Sequence, residues 1–149
     1  MPSGNHYVQS LTMENGATIS TPTSSYNFQM ATAPDGTCML GTLIIRNWTF
    51  RSLFQTTSNL YFMKASNTPS ISISNCSFEK IYEYSAPIYF GSSQGQRWNL
   101  ELRDNAFNVP GQHVAQFHTG ATASWVNENN VINGQPVTLA HIINPGAIQ

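Results

Sequence analysis

Charge is what this sequence has least of. Asp, Glu, Lys and Arg make up 9% of its 149 residues and the net charge is -1. There is therefore no basic face to follow a phosphate backbone, and nucleic acid is not expected as a partner. Nor does any stretch approach the ~18 apolar residues that cross a bilayer, so no membrane insertion is expected. The only cysteines, Cys38 and Cys76, lie far apart with no C-x-x-C pair. Residues 1–10 lack the basic start and apolar run of a signal peptide. Two buried free thiols are the expectation, with one disulfide as the alternative. Phosphate-loop, dinucleotide and nucleophile-elbow motifs are all missing, and His6, His113, His118 and His141 show no metal-ligand spacing. Neither cofactor nor metal is expected.

Uncharged polar groups fill the space that charge leaves. Ser, Thr, Asn and Gln account for 54 of the 149 residues. Good helix formers are correspondingly scarce, while Thr, Ile, Val, Tyr and Phe are frequent, which favours strands. The stretch SISISNCSF at 70–78 alternates as a half-buried strand does and then reaches Asn75. Asn75-Cys76-Ser77 also fits the N-x-[ST] acceptor pattern, as does Asn47-Trp48-Thr49. These tripeptides are better explained by a repeat.

LIIRNWTF at 43–50 and LELRDNAF at 100–107 superpose on SISISNCSF at spacings of 28 and 29 residues. Apolar positions coincide, then Asn47, Asn75 and Asp104, then Phe50, Phe78 and Phe107. A fainter copy, LTMENGAT, brings Asn15 into line, and WVNENNV at 125–131 supplies another. The third good copy carries Asp104, which accepts no glycan, so the shared feature is an amide or carboxylate at a corner. A second block recurs with the first: NLYFMK, PIYFGS, VAQFHT and, more faintly, VTLAHI. Two short strands per period suit a solenoid, whose coils stack at ~4.8 Å and turn equivalent residues into ladders. Asn tolerates the left-handed backbone of a tight corner, and stacked amides bond their neighbours.

The pattern x-I-x-I-x-N-x-x-F, repeated through residues 40–135 of a Ser/Thr/Asn-rich chain, resembles the right-handed parallel β-helix. That fold is shared by pectate lyases, other polysaccharide lyases, adhesins and bacteriophage tailspikes. The expected fold is thus all-β, a right-handed solenoid of about five short coils; an antiparallel sandwich or jelly roll is the alternative. Residues 1–40 are expected to form an irregular cap or attachment segment, and 41–149 the repeat domain. Five coils at the strand spacing give a rod about 25 Å tall.

Chemistry is less legible. Polysaccharide-cleaving β-helices cluster carboxylates on an outer face, and a glycosidase needs two across the scissile bond. Only Glu79 and Glu83 could supply such a pair, while Glu101 should lie outward beside a ladder of Arg46, Ser74 and Arg103. Tyr82 and Tyr84, with Arg97 and Trp98 on the next turn, form the candidate glycan- or partner-binding surface, rings with a polar rim. What the resemblance implies is a structural or receptor-binding module of a virion surface, such as a phage tailspike, fibre or capsid decoration. Such a module would be homo-oligomeric, with a trimer favoured, or bound to other virion proteins, and would touch a cell-surface polysaccharide. The alternative is a polysaccharide lyase or glycoside hydrolase, or a piece of one.

Overall fold

The computed structural model describes residues 6–20, 26–30, 38–53, 58–62, 68–82, 85–91 and 95–149, with the side chains of 6, 7, 30 and 38–40 excepted. Strands stack in successive rungs. β1 (His6–Ile19) and β2 (Tyr26–Met30) form the first, β3 (Cys38–Ser52) and β4 (Ser58–Phe62) the second. The third holds β5 (Ser70–Ser74), β6 (Ser77–Lys80) and β7 (Ile88–Phe90), and the fourth β8 (Arg97–Arg103), β9 (Ala106–Asn108) and β10 (Ala115–Phe117). The last holds β11 (Thr122–Glu128), β12 (Val131–Ile132), β13 (Gln135–Pro136) and β14 (Ile142–Ile143). One sheet runs β14-β10-β7-β4-β2; the other bends at a corner and collects the remaining strands. Apart from the β12–β13 hairpin, every strand pair among the described residues is parallel. This is a β-solenoid of about four turns, with no α-helix among the described residues. An antiparallel sandwich has no place for such ladders.

The registers are those of the repeat. Ile45 pairs with Ile73 and Ile73 with Leu102 in the first block, while Phe62 pairs with Phe90 and Phe90 with Phe117 in the second. The faint upstream copy is a full strand, with Met13 opposite Ile45 and Thr18 opposite Phe50. Rung stacking therefore extends upstream of residue 41. In VTLAHI only Ile142 enters the second sheet; Leu139–His141 form a 3-10 turn.

Two phenylalanine columns fill the interior. Phe50 stacks on Phe78 at 5.1 Å and Phe78 on Phe107 at 4.7 Å, near-parallel at 18° and 9°. Across the core, Phe62, Phe90 and Phe117 stack at 5.2 and 4.6 Å. All are buried, as are Leu43, Ile45, Ile71, Ile73, Leu100 and Leu102. Parallel in-register stacking forces like onto like, so ring-on-ring geometry follows from the repeat itself. Each offset pair adds about 0.5–1.5 kcal/mol beyond area burial.

The corner is made by five residues in the left-handed region: Asn15, Asn47, Asn75, Asp104 and Asn129, with φ between 51 and 58°. Their side chains form a ladder. Asn47 Nδ2 donates to Asn15 Oδ1 at 3.1 Å, Asn75 Nδ2 to Asn47 Oδ1 at 2.5 Å, and Asn129 Nδ2 to Asp104 Oδ1 at 3.1 Å. Asn75 is exposed yet engaged with the rung above it.

One position further on, a second ladder is wholly buried. Asn105 Oδ1 accepts from Cys76 N at 2.9 Å, and its Nδ2 donates to Ile73 O at 2.8 Å. Asn130 repeats the arrangement one rung on, accepting from Asn105 N at 2.9 Å and donating to Leu102 O at 2.7 Å. These amides satisfy backbone groups that the bend takes out of the sheet ladder. The rungs before them carry Trp48 and Cys76 at this position, which is why the inner ladder shows in the sequence less plainly than the outer one.

Phe78→Ala should destabilise the fold by about 3–5 kcal/mol in urea titration, whereas outward Ser72→Ala should stay within about 0.5 kcal/mol. At the corner, Asn75→Ala should cost about 1–2 kcal/mol, because alanine pays the left-handed penalty. Asn75→Gly should cost less, since only the amide bond is lost; equal losses for the two would show that the backbone is not the constraint.

Candidate functional site

In the second sheet, Leu60 and Phe62 are buried on either side of Tyr61, and Ile88 and Phe90 on either side of Tyr89. Strand alternation therefore turns both tyrosines outward. They are register partners, with rings 5.3 Å apart. Tyr26 from β2 lies over Tyr61 at 4.4 Å and 8°. The row needs a glycine beneath it: a Cβ at Gly91 would stand 2.6 Å from the Tyr61 ring and hydroxyl. Gln29 and Gln116 flank it, in register with Tyr61 and Tyr89 respectively. The result is a half-buried aromatic row with hydroxyl tips and an amide at each side. Burial pushes the Tyr61 hydroxyl above its usual pKa, helped by the neighbouring Tyr26 and Tyr89.

The sequence places these tyrosines inside repeat blocks without marking them as a site. The signal that finds them is alternation: once Phe62 and Phe90 face the core, Tyr61 and Tyr89 face solvent.

The same alternation corrects Trp98. It lies two residues before Leu100 and so points inward, 1% exposed, its ring 5.9 Å from Phe62 and 5.1 Å from Phe90. No glycan can stack on it. Arg97, next to it, is exposed. Tyr82 is 51% exposed on the β6–β7 corner, at the end of β7 opposite the corner that leads to Arg97. The expected grouping of Tyr82, Arg97 and Trp98 is therefore not formed. Tyr82 instead lines a cleft of about 120 Å³ with Lys80, Ser85, Pro110 and His113. Lys80 is buried, and its Nζ donates to Ser85 O at 2.5 Å. Tyr84 and Glu83 lie outside the described residues.

Each of the five described acids has a partner. Glu79 accepts from Arg51 Nε at 2.8 Å, which occupies the carboxylate considered for catalysis. Glu14 pairs with Arg46 at 2.6 Å, and Arg103 bonds Glu101 at 2.6 Å and Glu128. Asp104 sits in the corner ladder. The outward row is thus Glu14, Arg46, Ser74, Arg103 and Glu128, joined by strand register. Glu14 and Glu128 complete it from the two faint repeat copies. It is a charge-compensated seam and not a carboxylate pair.

Cys76 is buried with Sγ donating to Ser74 O at 3.2 Å, and burial raises its thiol pKa, which leaves it a poor nucleophile. The Cys38 and His6 side chains lie outside the described residues. His118 Nδ1 lies 3.0 Å from Thr119 O, and His141 Nδ1 accepts from Thr138 N at 2.9 Å. No group of three metal-ligating side chains occurs among the described residues.

Comparison with known proteins finds no matching family model, no matching curated sequence and no matching solved structure.

The raised Tyr61 pKa has a definite pH signature. Its contribution is complete below the ordinary tyrosine value near 10 and is lost as pH rises through the higher folded-state value. Ultraviolet titration of the folded chain should show a phenol ionising above pH 10 that disappears in Tyr61→Phe. The variant should also lose stability less steeply than the parent in that alkaline window. If the phenol lost in Tyr61→Phe is instead one that ionises at the ordinary tyrosine value, the ring is not desolvated.

Proposed function

We propose that this chain is a structural and receptor-binding β-helix module of a virion surface, of the tailspike, fibre or capsid-decoration kind, and that it binds a cell-surface polysaccharide. The observation that carries this reading is the Tyr26–Tyr61–Tyr89 row on the wall of a rigid solenoid. Stacked parallel strands hold the rings at fixed spacing, so a sugar chain meets a surface that needs no further ordering. Tyrosine supplies an apolar body for pyranose C–H faces and a hydroxyl for their rims, and the flanking glutamine amides extend the polar edge.

The charge-poor surface supports the same reading. A wall dominated by Ser, Thr, Asn and Gln, whose described carboxylates are tied up with cations or amides, suits contact with neutral glycan hydroxyls. It also suits packing of like subunits in a trimer or against other virion proteins, where unpaired charge would be costly. On the enzymatic alternative, Glu79 would have to leave Arg51 to act.

Screening against purified capsular polysaccharides and lipopolysaccharides should find a binder whose affinity falls at least about tenfold in Tyr61→Ala, roughly one aromatic stacking contact. Glu101→Gln, on the other sheet, should leave that affinity unchanged. Light scattering should report a trimer. If bound polysaccharide instead released reducing or unsaturated ends, and Glu79→Gln abolished that release, the enzymatic reading would replace this one. Binding indifferent to Tyr61→Ala and Tyr89→Ala would remove the tyrosine row from the site.

A further inference from the structure

The two ends of the solenoid are finished differently. At the β11–β12 end the chain covers itself. β13 pairs back on β12, Asn127 Nδ2 donates to Val137 O at 2.8 Å, and Gln149 N donates to Ala123 O at 2.9 Å. Val137 and Ala147 are buried by this cover, and Asn127 places an amide in the column that Ile45, Ile73 and Leu102 fill on earlier rungs.

At the opposite end, β1 and β2 are the terminal strands of their sheets, and no described residue lies beyond them. Leu11 pairs with fully buried Leu43, yet is itself 42% exposed; Val8 and Ile19 on the same strand reach 43% and 54%. Of these only Leu11 stands in a core register open to water, beside a long parallel edge strand; Val8, three residues before it, and Ile19, in register with Arg51, face outward.

The corner ladder points the same way. Each Nδ2 donates toward the preceding rung, from Asn75 to Asn47 and from Asn47 to Asn15. Asn47 Nδ2 occupies Asn15 Oδ1, which leaves Asn15 Nδ2 on the other side of the amide, and no acceptor among the described residues meets it. An occupant must therefore present an oxygen acceptor over Asn15 and apolar side chains over Leu11 and Met13, in parallel register.

A second copy of this chain does not meet those terms. Head-to-tail stacking would use the opposite end, which residues 133–149 cover. Head-to-head stacking would set the Asn15 donor of one copy against the Asn15 donor of the other.

We propose that the β1–β2 end is a docking surface for a partner chain that contributes a parallel β-solenoid rung, with Asn or Asp at its corner, continuing the stack coaxially. The surface is separate from the tyrosine row and stands whether or not that row binds sugar.

A fluorescein-labelled peptide of residues 38–52 (Cys38→Ser) has this chemistry, because β3 is the rung that already stacks on β1. Mixed with the full chain, it should bind saturably by anisotropy and slow hydrogen exchange across β1. Asn47→Leu in the peptide should weaken binding at least tenfold, and so should Leu11→Lys in the chain, checked for a native circular dichroism spectrum. Leu139→Lys at the covered end should change nothing. Binding no better than that of a scrambled peptide would overturn the proposal, as would equal weakening by Leu139→Lys. So would a dimer of the chain alone that Leu11→Lys dissociates, since that would assign the end to a second copy.

Discussion

Everything in this molecule hangs on one backbone conformation repeated at intervals of a single coil. Five rungs turn the same corner through a residue with positive φ, and four of the five are asparagine. For most side chains that conformation costs about 1–2 kcal/mol; asparagine tolerates it because its short amide bonds locally. Here the amide bonds to a neighbouring rung instead of its own backbone. The residue that permits the bend thus also fixes the register between coils. Once the register is set, the Phe columns, the aliphatic columns, the outward Glu/Arg row and the tyrosine row all follow.

The repeat was legible because in-register stacking demands like residues at like positions. Asn47, Asn75 and Asp104 with Phe50, Phe78 and Phe107 mark three rungs without ambiguity. Where a rung no longer has to match both neighbours, the signal fades. β1 has a partner on one side only, among the described residues, so Met13 and Gly16 stand where the middle rungs carry Ile and the bulkier Trp48 or Cys76. Gly16 is explained by its neighbour: the Trp48 ring would lie 2.5 Å from a Cβ there. The final rung has its core closed by Asn127 and the covering segment, so it too departs from the consensus.

The site was harder to read than the fold. Trp98 looked like a surface aromatic when taken with Arg97 and the preceding Gly/Gln turn. Only the strand parity set by Leu100 and Leu102 reveals it as an inward residue. Tyr61 and Tyr89 share a block with the Phe residues that define it, and the stronger core signal masked their outward role. Residue type marks aromatics as candidates; parity decides whether they are wall or core.

The corner ladder also has a polarity that the core columns lack. A Phe column reads the same from either end, whereas each asparagine donates in one direction and accepts from the other. Asp104 has no donor, so it can accept from Asn129 but cannot pass a hydrogen bond to Asn75. The ladder is therefore split into an Asn15–Asn47–Asn75 segment and an Asp104–Asn129 segment. What joins the halves at that step is the buried ladder, where Asn105 reaches back to Ile73 O and Cys76 N. The inner asparagine appears at the rung where the outer one is replaced by aspartate. Side-chain continuity across the third and fourth rungs is thereby transferred from the exposed corner to the interior, where low dielectric strengthens each bond.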